Sequence, residues 1–271
     1  MRSENKSYNL WSHLIRRGKE IFLSSENKIP RLKHELAEEM SELPLSLTRV
    51  EKVISSIEEA LIANAYEVRR LHFRAVSEAS IGASGTFGKI PFEIGLSFDP
   101  ILNVPYIPGS SIKGAVSSAF YEFCSSADKE RERTRIFGGK LVDETSMGLV
   151  GFTDAYPTRL TKSGILFSSV FTPHYSMVKT SNELDVSPNP ILHFMIPRGT
   201  EFASYMFFRK KRGKNFELKG SNKDISEDPR PDINSLGDID KAVLYAFIKG
   251  IGSKTTLGYS RFEILEYSRV R

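Results

Sequence analysis

Residues 105–123 read PYIPGSSIKGAVSSAFYEF, and the way this stretch turns and then settles into a helix decides the fold. Pro108 and Gly109 form a turn, and Ser110 stands where a helix-capping hydroxyl belongs. Ile112, Val116, Ala119, Phe120 and Phe123 give the helix one apolar face. Gly114, near its start, costs about 1 kcal/mol relative to alanine, so something approaches the backbone there. Two explanations stand side by side. The N-terminal amides, the helix dipole and Lys113 together receive a phosphate, or the glycine serves helix–sheet packing.

Upstream, residues 68–78 (VRRLHFRAVSE) alternate as a half-buried strand does. Leu71, Phe73 and Ala75 take one face and Arg70, His72 and Arg74 the other, where they are either solvated or meet phosphate. A glycine-rich loop, ASIGASGTFGK, and a short strand ending at Asp99-Pro100 follow. Before the strand, Ser46 is placed to cap the run LTRVEKVISSIEEALIANAYEVRR. There Val50, Val53, Ile54, Ile57, Ala60, Leu61 and Ala65 recur at helical spacing. Residues 31–42 form a shorter charged helix. This helical preface, residues 1–66, reads equally as a docking surface or as part of the central domain.

Downstream, residues 126–137 are a charged helical stretch, and GLVGFTDAYP at 148–157 is a strand ending in a turn. Residues 164–171 and 190–209 are further strands. Between them, 172–189 has no periodicity and reads as a long loop or projecting excursion. A second irregular stretch, 209–234, opens with RKKRGKNFELKGSNK, seven Lys or Arg against one Glu, a solvated loop or an RNA-contacting arm with Phe216 as a stacking partner. Leu236, Ile239, Val243, Leu244 and Phe247 then line a helix beginning near Ser235, and Gly250 terminates it. GIGSKTTLGYSRF at 250–262 leads into a last strand through Phe262, Ile264 and Leu265. Helices and strands mix without one-to-one alternation, which predicts an α+β fold.

At 271 residues the chain buries a substantial core as one large domain or two small ones. The 38 Lys and Arg against 33 Asp and Glu give a charge of +5, too small an excess to identify a polyanionic partner by itself. Cys124 is the only cysteine and lies in an apolar helical pattern, which predicts a buried structural thiol. No signal-peptide pattern and no membrane-spanning apolar run is present, and a reducing, cytoplasmic setting is expected.

The catalytic and cofactor motifs fail one by one. In Gly250–Thr255, Ser253 stands before the lysine where a Walker A loop needs glycine, and the loop enters a strand instead of a helix. Gly82, Gly85 and Gly88 open no apolar helix, so a dinucleotide fingerprint is absent. His13, His34, His72, His174 and His193 lack metal-ligand spacing. His174 suits acid–base cleavage of RNA only with a second group placed around the phosphate. Asp99 and Asp154 fall at turns, which their own side chains close. No cofactor, metal or catalytic residue is expected.

Taken together, PYIPGSSIKGAV, GLVGFTDAYP and GIGSKTTLGYSRF, in this order, resemble the RAMP superfamily of CRISPR proteins across residues 68–268. Order, length and the intervening HYSMVKTSNELDVSPNP look most like the terminal RAMP subunit of type III-B effector complexes. The resemblance implies a ferredoxin-like, RRM-like domain over 67–271 with an antiparallel sheet, insertions at 172–189 and 209–234, and a helical extension over 1–66. It implies that Gly109, Ser110, Ser111 and Lys113 face RNA, and that Gly250, Gly252, Ser253, Lys254 and Thr255 lie close to it. Implied partners are guide CRISPR RNA, target RNA and the other Cmr-type backbone and small subunits. In the family, this subunit sits toward the guide's 3′ end and caps the backbone filament. Target cutting there belongs to the repeated backbone subunit, and DNA cutting and cyclic oligonucleotide synthesis to the large subunit. Exposed amides at turns and helix ends grip phosphates without reading sequence, which base pairing does instead. No RNP-type aromatic motif is visible, so stacking on the sheet is not expected. The alternatives are a RAMP-type endoribonuclease using His174 and a protein-binding cap without RNA contact.

Overall fold

A computed structural model describes residues 9–140, 145–162, 164–171, 190–209 and 237–270. In chain order the elements are α1 (Leu10–Phe22), α2 (Ile29–Glu42), α3 (Thr48–Ala63), β1 (Tyr66–Ala75), α4 (Lys89–Phe92), β2 (Phe98–Asp99) and β3 (Val104–Pro105). Then come α5 (Gly109–Phe123), α6 (Lys129–Phe137), β4 (Gly139–Lys140), β5 (Thr145–Ser146), β6 (Val150–Phe152), β7 (Tyr156–Arg159) and β8 (Phe167–Phe171). The last are β9 (Ile191–Met195), β10 (Glu201–Arg209), α7 (Asp238–Lys249) and β11 (Phe262–Val270).

The alternation in β1 sorts its side chains as expected. Leu71, Phe73 and Ala75 are buried, whereas Arg70, His72 and Arg74 stay partly exposed on the opposite face. β1 is central in a sheet of order β11-β1-β10-β6, with β7 also paired to β10 and every pairing antiparallel. β6 and β7 thus form one interrupted edge strand. The connection β1–α5–β6/β7–β10–α7–β11 across this order is ferredoxin-like. α5 and α7 pack side by side on the Phe73 face. There Ile112, Val116 and Phe120 meet Val243 and Phe247, and the Phe73 ring lies 4.6 Å from Phe247 and 5.4 Å from Phe262. Cys124, just beyond α5, is buried as predicted.

The interruption of the edge strand falls at Thr153. Its backbone N–H donates to Tyr205 O at 2.9 Å, and its hydroxyl oxygen accepts from Tyr205 N at 2.9 Å. A side chain here stands in for the ladder, so the chain steps out of the sheet without leaving Tyr205 unpaired. That step carries Asp154 toward α5.

The opposite face of the sheet is covered by α3, which packs on β1, β7 and β10. Glu58 on α3 takes a forked pair from Arg70, at 2.8 Å and 2.6 Å from Nη2. α1 and α2 are locked by Arg17 on Glu39, with Nη2 to Oε1 at 2.9 Å. Leu10, Leu14, Leu36 and Met40 join the same hydrophobic cluster as the sheet. The helical preface therefore packs onto the central core, leaving Ile15 and Phe22 of α1 and Leu23 just beyond it exposed.

Several boundaries differ from the sequence reading. Ser46 does not cap α3, because Leu47 holds the cap position and the Ser46 hydroxyl lies 3.5 Å from Thr48 N. The 190–209 stretch is two strands, split where the Thr200 hydroxyl closes a turn on Pro197 O at 2.9 Å. The 172–189 excursion with His174, the basic run from 210 with Phe216, and Leu236 lie outside the described residues.

Candidate nucleic-acid interface

The chain between α7 and β11 is built on backbone angles that side chains resist. Gly250 has φ +117° and Gly252 φ +124°. A Cβ at Gly252 would stand 2.7 Å from Ser80 O, so glycine is required there by both conformation and contact. Three serines hold the loop against the segment after β1. Ser253 N and its hydroxyl each donate to Ser80 O at 2.9 Å, Ser80 N donates to Ser260 Oγ at 3.1 Å, and Ser80 and Ser260 are fully buried. Lys254 itself adopts φ +59°, and Thr255–Leu257 form a single 3-10 turn.

This clamp brings the loop beside the first turns of α5. Between them lies an open cleft of about 530 Å³, lined by Gly82, Ser111, Gly114, Ala115, Gly250, Gly252, Ser253 and Thr255. Of the expected site residues, Ser111, Gly250, Gly252, Ser253 and Thr255 share this cleft. Gly114 also faces it, and a Cβ built there meets nothing within 4 Å. A Cβ at Gly114 would meet no packing partner, which speaks against the helix–sheet packing explanation. Gly82 and Ala115 were not anticipated as cleft residues. The glycine-rich segment before α4 was the sequence signal for Gly82, and Ala115 lies in the α5 stretch without a signal of its own.

Other expected site residues fall elsewhere. Gly109 is buried, since a Cβ there would be 2.3 Å from Phe152 O, and its N–H donates to Asp154 Oδ1 at 2.7 Å. Ser110 is exposed and does not cap α5: Pro108 occupies the cap position, and the carboxylate of Asp154 serves as the cap. Ser111 N and Ile112 N turn back onto Pro108 O at 2.9 Å and 3.2 Å. With Asp154 on the Gly109 N–H, the first amide of the expected α5 phosphate cradle already has an anionic partner. Asp154 thus reaches a distant helix instead of closing its own turn. Asp99 does close its turn, accepting from Ile101 N and Leu102 N at 2.9 Å, and it also accepts from the Tyr156 hydroxyl at 3.2 Å.

The two lysines flank the cleft rather than line it. Burial holds the Lys113 ammonium below the usual lysine range. Burial does the same to Lys254, whose Nζ stands 3.8 Å from the centre of the Phe171 ring in β8. On β9, the neighbouring strand, burial and then the nearby Lys254 charge push the His193 imidazole below the usual histidine range. The basic face of β1 is internally matched. Arg70 pairs with Glu58, His72 lies 3.4 Å from Glu201, and Arg74 reaches Glu263 at 2.7 Å. Among the described residues no group of three His, Cys, Asp or Glu side chains is placed to hold a metal ion, and no helix is long and apolar enough to cross a membrane.

A ferredoxin-like sheet with a glycine-rich loop between its second helix and last strand defines a class, and a model of the RAMP superfamily matches residues 64–263: the chain belongs to that superfamily. Within it, the CRISPR system CMR subunit Cmr6 of Saccharolobus solfataricus (strain ATCC 35092 / DSM 1617 / JCM 11322 / P2) is 32% identical over 247 residues, which is 91% of this chain and 75% of the relative. In the cryo-EM structure of the Type III-B Cmr-beta bound to cognate target RNA, one chain superposes with a TM-score of 0.73 at 27% identity, covering 97% of this chain and 93% of that one.

Proposed function

We propose that this chain is a noncatalytic RNA-binding subunit of a type III-B CRISPR effector complex. It contacts the guide RNA backbone toward its 3′ end and caps the filament of backbone subunits, with residues 1–66 as a helical extension on a RAMP domain spanning 67–271. The observation that carries this reading is the cleft, in which a glycine-built loop meets α5 at Gly114, where a Cβ would have nothing within 4 Å. The hydroxyls of Ser111 and Thr255 suit phosphate oxygens, and Lys113 and Lys254 add charge at the margins. Kinship with Cmr6 and with a subunit of an RNA-bound Type III-B complex supports the choice of RNA and of the assembly. A noncatalytic role is supported by the same kinship and by the commitment of Asp99 and Asp154 to a turn and a helix cap.

The test is guide retention in the reconstituted complex. Lys113→Ala with Lys254→Ala, and separately Gly114→Leu, should each weaken retention to a similar degree for guides of unrelated sequence. Unchanged retention in both would remove the cleft from the RNA path. Incubating the complex with repeat-containing RNA, with and without chelator, addresses the endoribonuclease alternative: cleavage lost on His174→Ala would replace the noncatalytic reading.

A further inference from the structure

Four strands of the central sheet end at one rim of the molecule, beside the serine clamp. We propose that this rim is a second RNA-backbone track, formed by Lys162, Arg198 and Arg261 and contiguous with the cleft. It rests on the RNA reading of the cleft and extends the footprint beyond it.

The track begins one residue past the clamp. Arg261 follows Ser260; its N–H donates to Ser77 Oγ at 3.1 Å and its carbonyl accepts from Val76 N at 3.0 Å, beside the end of β1. The turn before β10 is bonded to the same end of β1, Gly199 N to Ala75 O at 2.7 Å and Ala75 N to Thr200 O at 2.9 Å, and it carries Arg198. A Cβ at Gly199 would lie 3.3 Å from the Thr161 methyl, which sets the loop bearing Lys162 against that turn. The cations therefore stand by β11, β10 and β7 in a rim whose strand order is β11, β1, β10, β7, roughly 15 Å at the ordinary strand spacing.

Charge separates these three from their neighbours. Just inside the rim, Glu263, Arg74, Glu201 and Arg159 lie in register across the four strands. They neutralise one another, Arg74 to Glu263 at 2.7 Å and Arg159 to Glu201 at 3.4 Å. Lys162, Arg198 and Arg261 are exposed, and among the described residues none of them forms an ion pair. Glu78, whose carbonyl accepts from Ser260 N, is a further carboxylate near this end. Unmatched cations continuous with a phosphate-sized cleft favour a polyanion. A protein partner would find only Val76 (39% exposed) and, on the loop before Arg261, Leu257 (68%) as large apolar anchors among the residues named for this rim and loop.

The experiment uses the full chain, a short RNA single strand sufficient for the cleft and a longer one, with binding followed by anisotropy over a salt series. The wild-type chain should bind the longer strand more tightly and with a steeper salt dependence. The triple variant Lys162→Ala, Arg198→Ala, Arg261→Ala should keep its melting temperature and its affinity for the short strand. On the longer strand its log–log salt slope should become shallower by about 2, three phosphates at about 0.7 each. Arg198→Glu alone should move the slope in the same direction. If the triple variant matches wild type on both strands while Gly114→Leu loses both, the rim proposal is overturned and the cleft reading stands. If the triple variant loses only the longer strand while Gly114→Leu changes neither, the rim stands and the cleft reading goes. Absence of RNA binding by the wild-type chain overturns both, and unchanged RNA binding with weakened assembly onto neighbouring subunits gives the rim to protein.

Discussion

A methyl group added at Gly252 would lie 2.7 Å from a backbone oxygen, at φ +124°, whereas one added at Gly114 meets nothing within 4 Å. The two glycines should therefore respond oppositely to alanine. Gly252→Ala should destabilise the chain by about 1–3 kcal/mol, read as a lower urea midpoint. Gly114→Ala should be neutral or gain up to about 1 kcal/mol from helix propensity, while Gly114→Leu leaves stability near wild type and blocks the cleft. Equal losses in the two alanine variants would contradict the geometry. Sequence alone raised the question at Gly114, because a glycine inside a strongly periodic helix is a local cost. It could not answer it, since what surrounds that position is settled by a loop nearly 140 residues further along.

At the scale of elements, α5 and β1 were legible because their apolar periods are long and unmixed. Their ends were not. The cap of α5 is a carboxylate 45 residues downstream, delivered by a break in an edge strand that no propensity announces. Likewise the clamp joins Ser80 to Ser260, 180 residues apart, so the glycine loop was readable and its anchorage was not. Asp154→Ala should cost about 1 kcal/mol through loss of the cap, and Asp154→Asn, which keeps an acceptor oxygen, should recover most of it in the same denaturation assay. Removing this carboxylate also frees the Gly109 N–H, so Asp154→Ala should bind inorganic phosphate more tightly than wild type if the helix terminus is otherwise competent.

For the whole molecule, α3 decides how the sheet is used. It lies on the face that RRM-type proteins keep open, which is why the proposed RNA path runs through the cleft and the rim instead. The core also carries an unfavourable charge at Asp240. Asp240 on α7 accepts from the buried Tyr267 hydroxyl near Arg69, but burial outweighs these contacts and raises the carboxyl above its ordinary value. The folded chain then holds this proton more tightly than the unfolded one, so the contribution to stability is full below the ordinary aspartate pKa and is lost as pH rises through the folded value. Asp240→Asn should accordingly be more stable than wild type at neutral pH, with the difference vanishing in acid; a constant difference across pH would assign the effect elsewhere. Lys113 and Lys254 titrate the other way round for binding: both are held low, so RNA affinity should begin to fall on alkaline titration before ordinary surface lysines discharge, and arginine at both positions should flatten that fall. The single cysteine, finally, is sealed in the interior at the end of α5, 5% exposed. Thiol reagents should therefore leave the folded chain unlabelled, and Gly114→Cys would create one addressable sulfur on the cleft wall. A dye or photo-crosslinker attached there would turn an inert position into a direct optical and covalent reporter of what enters.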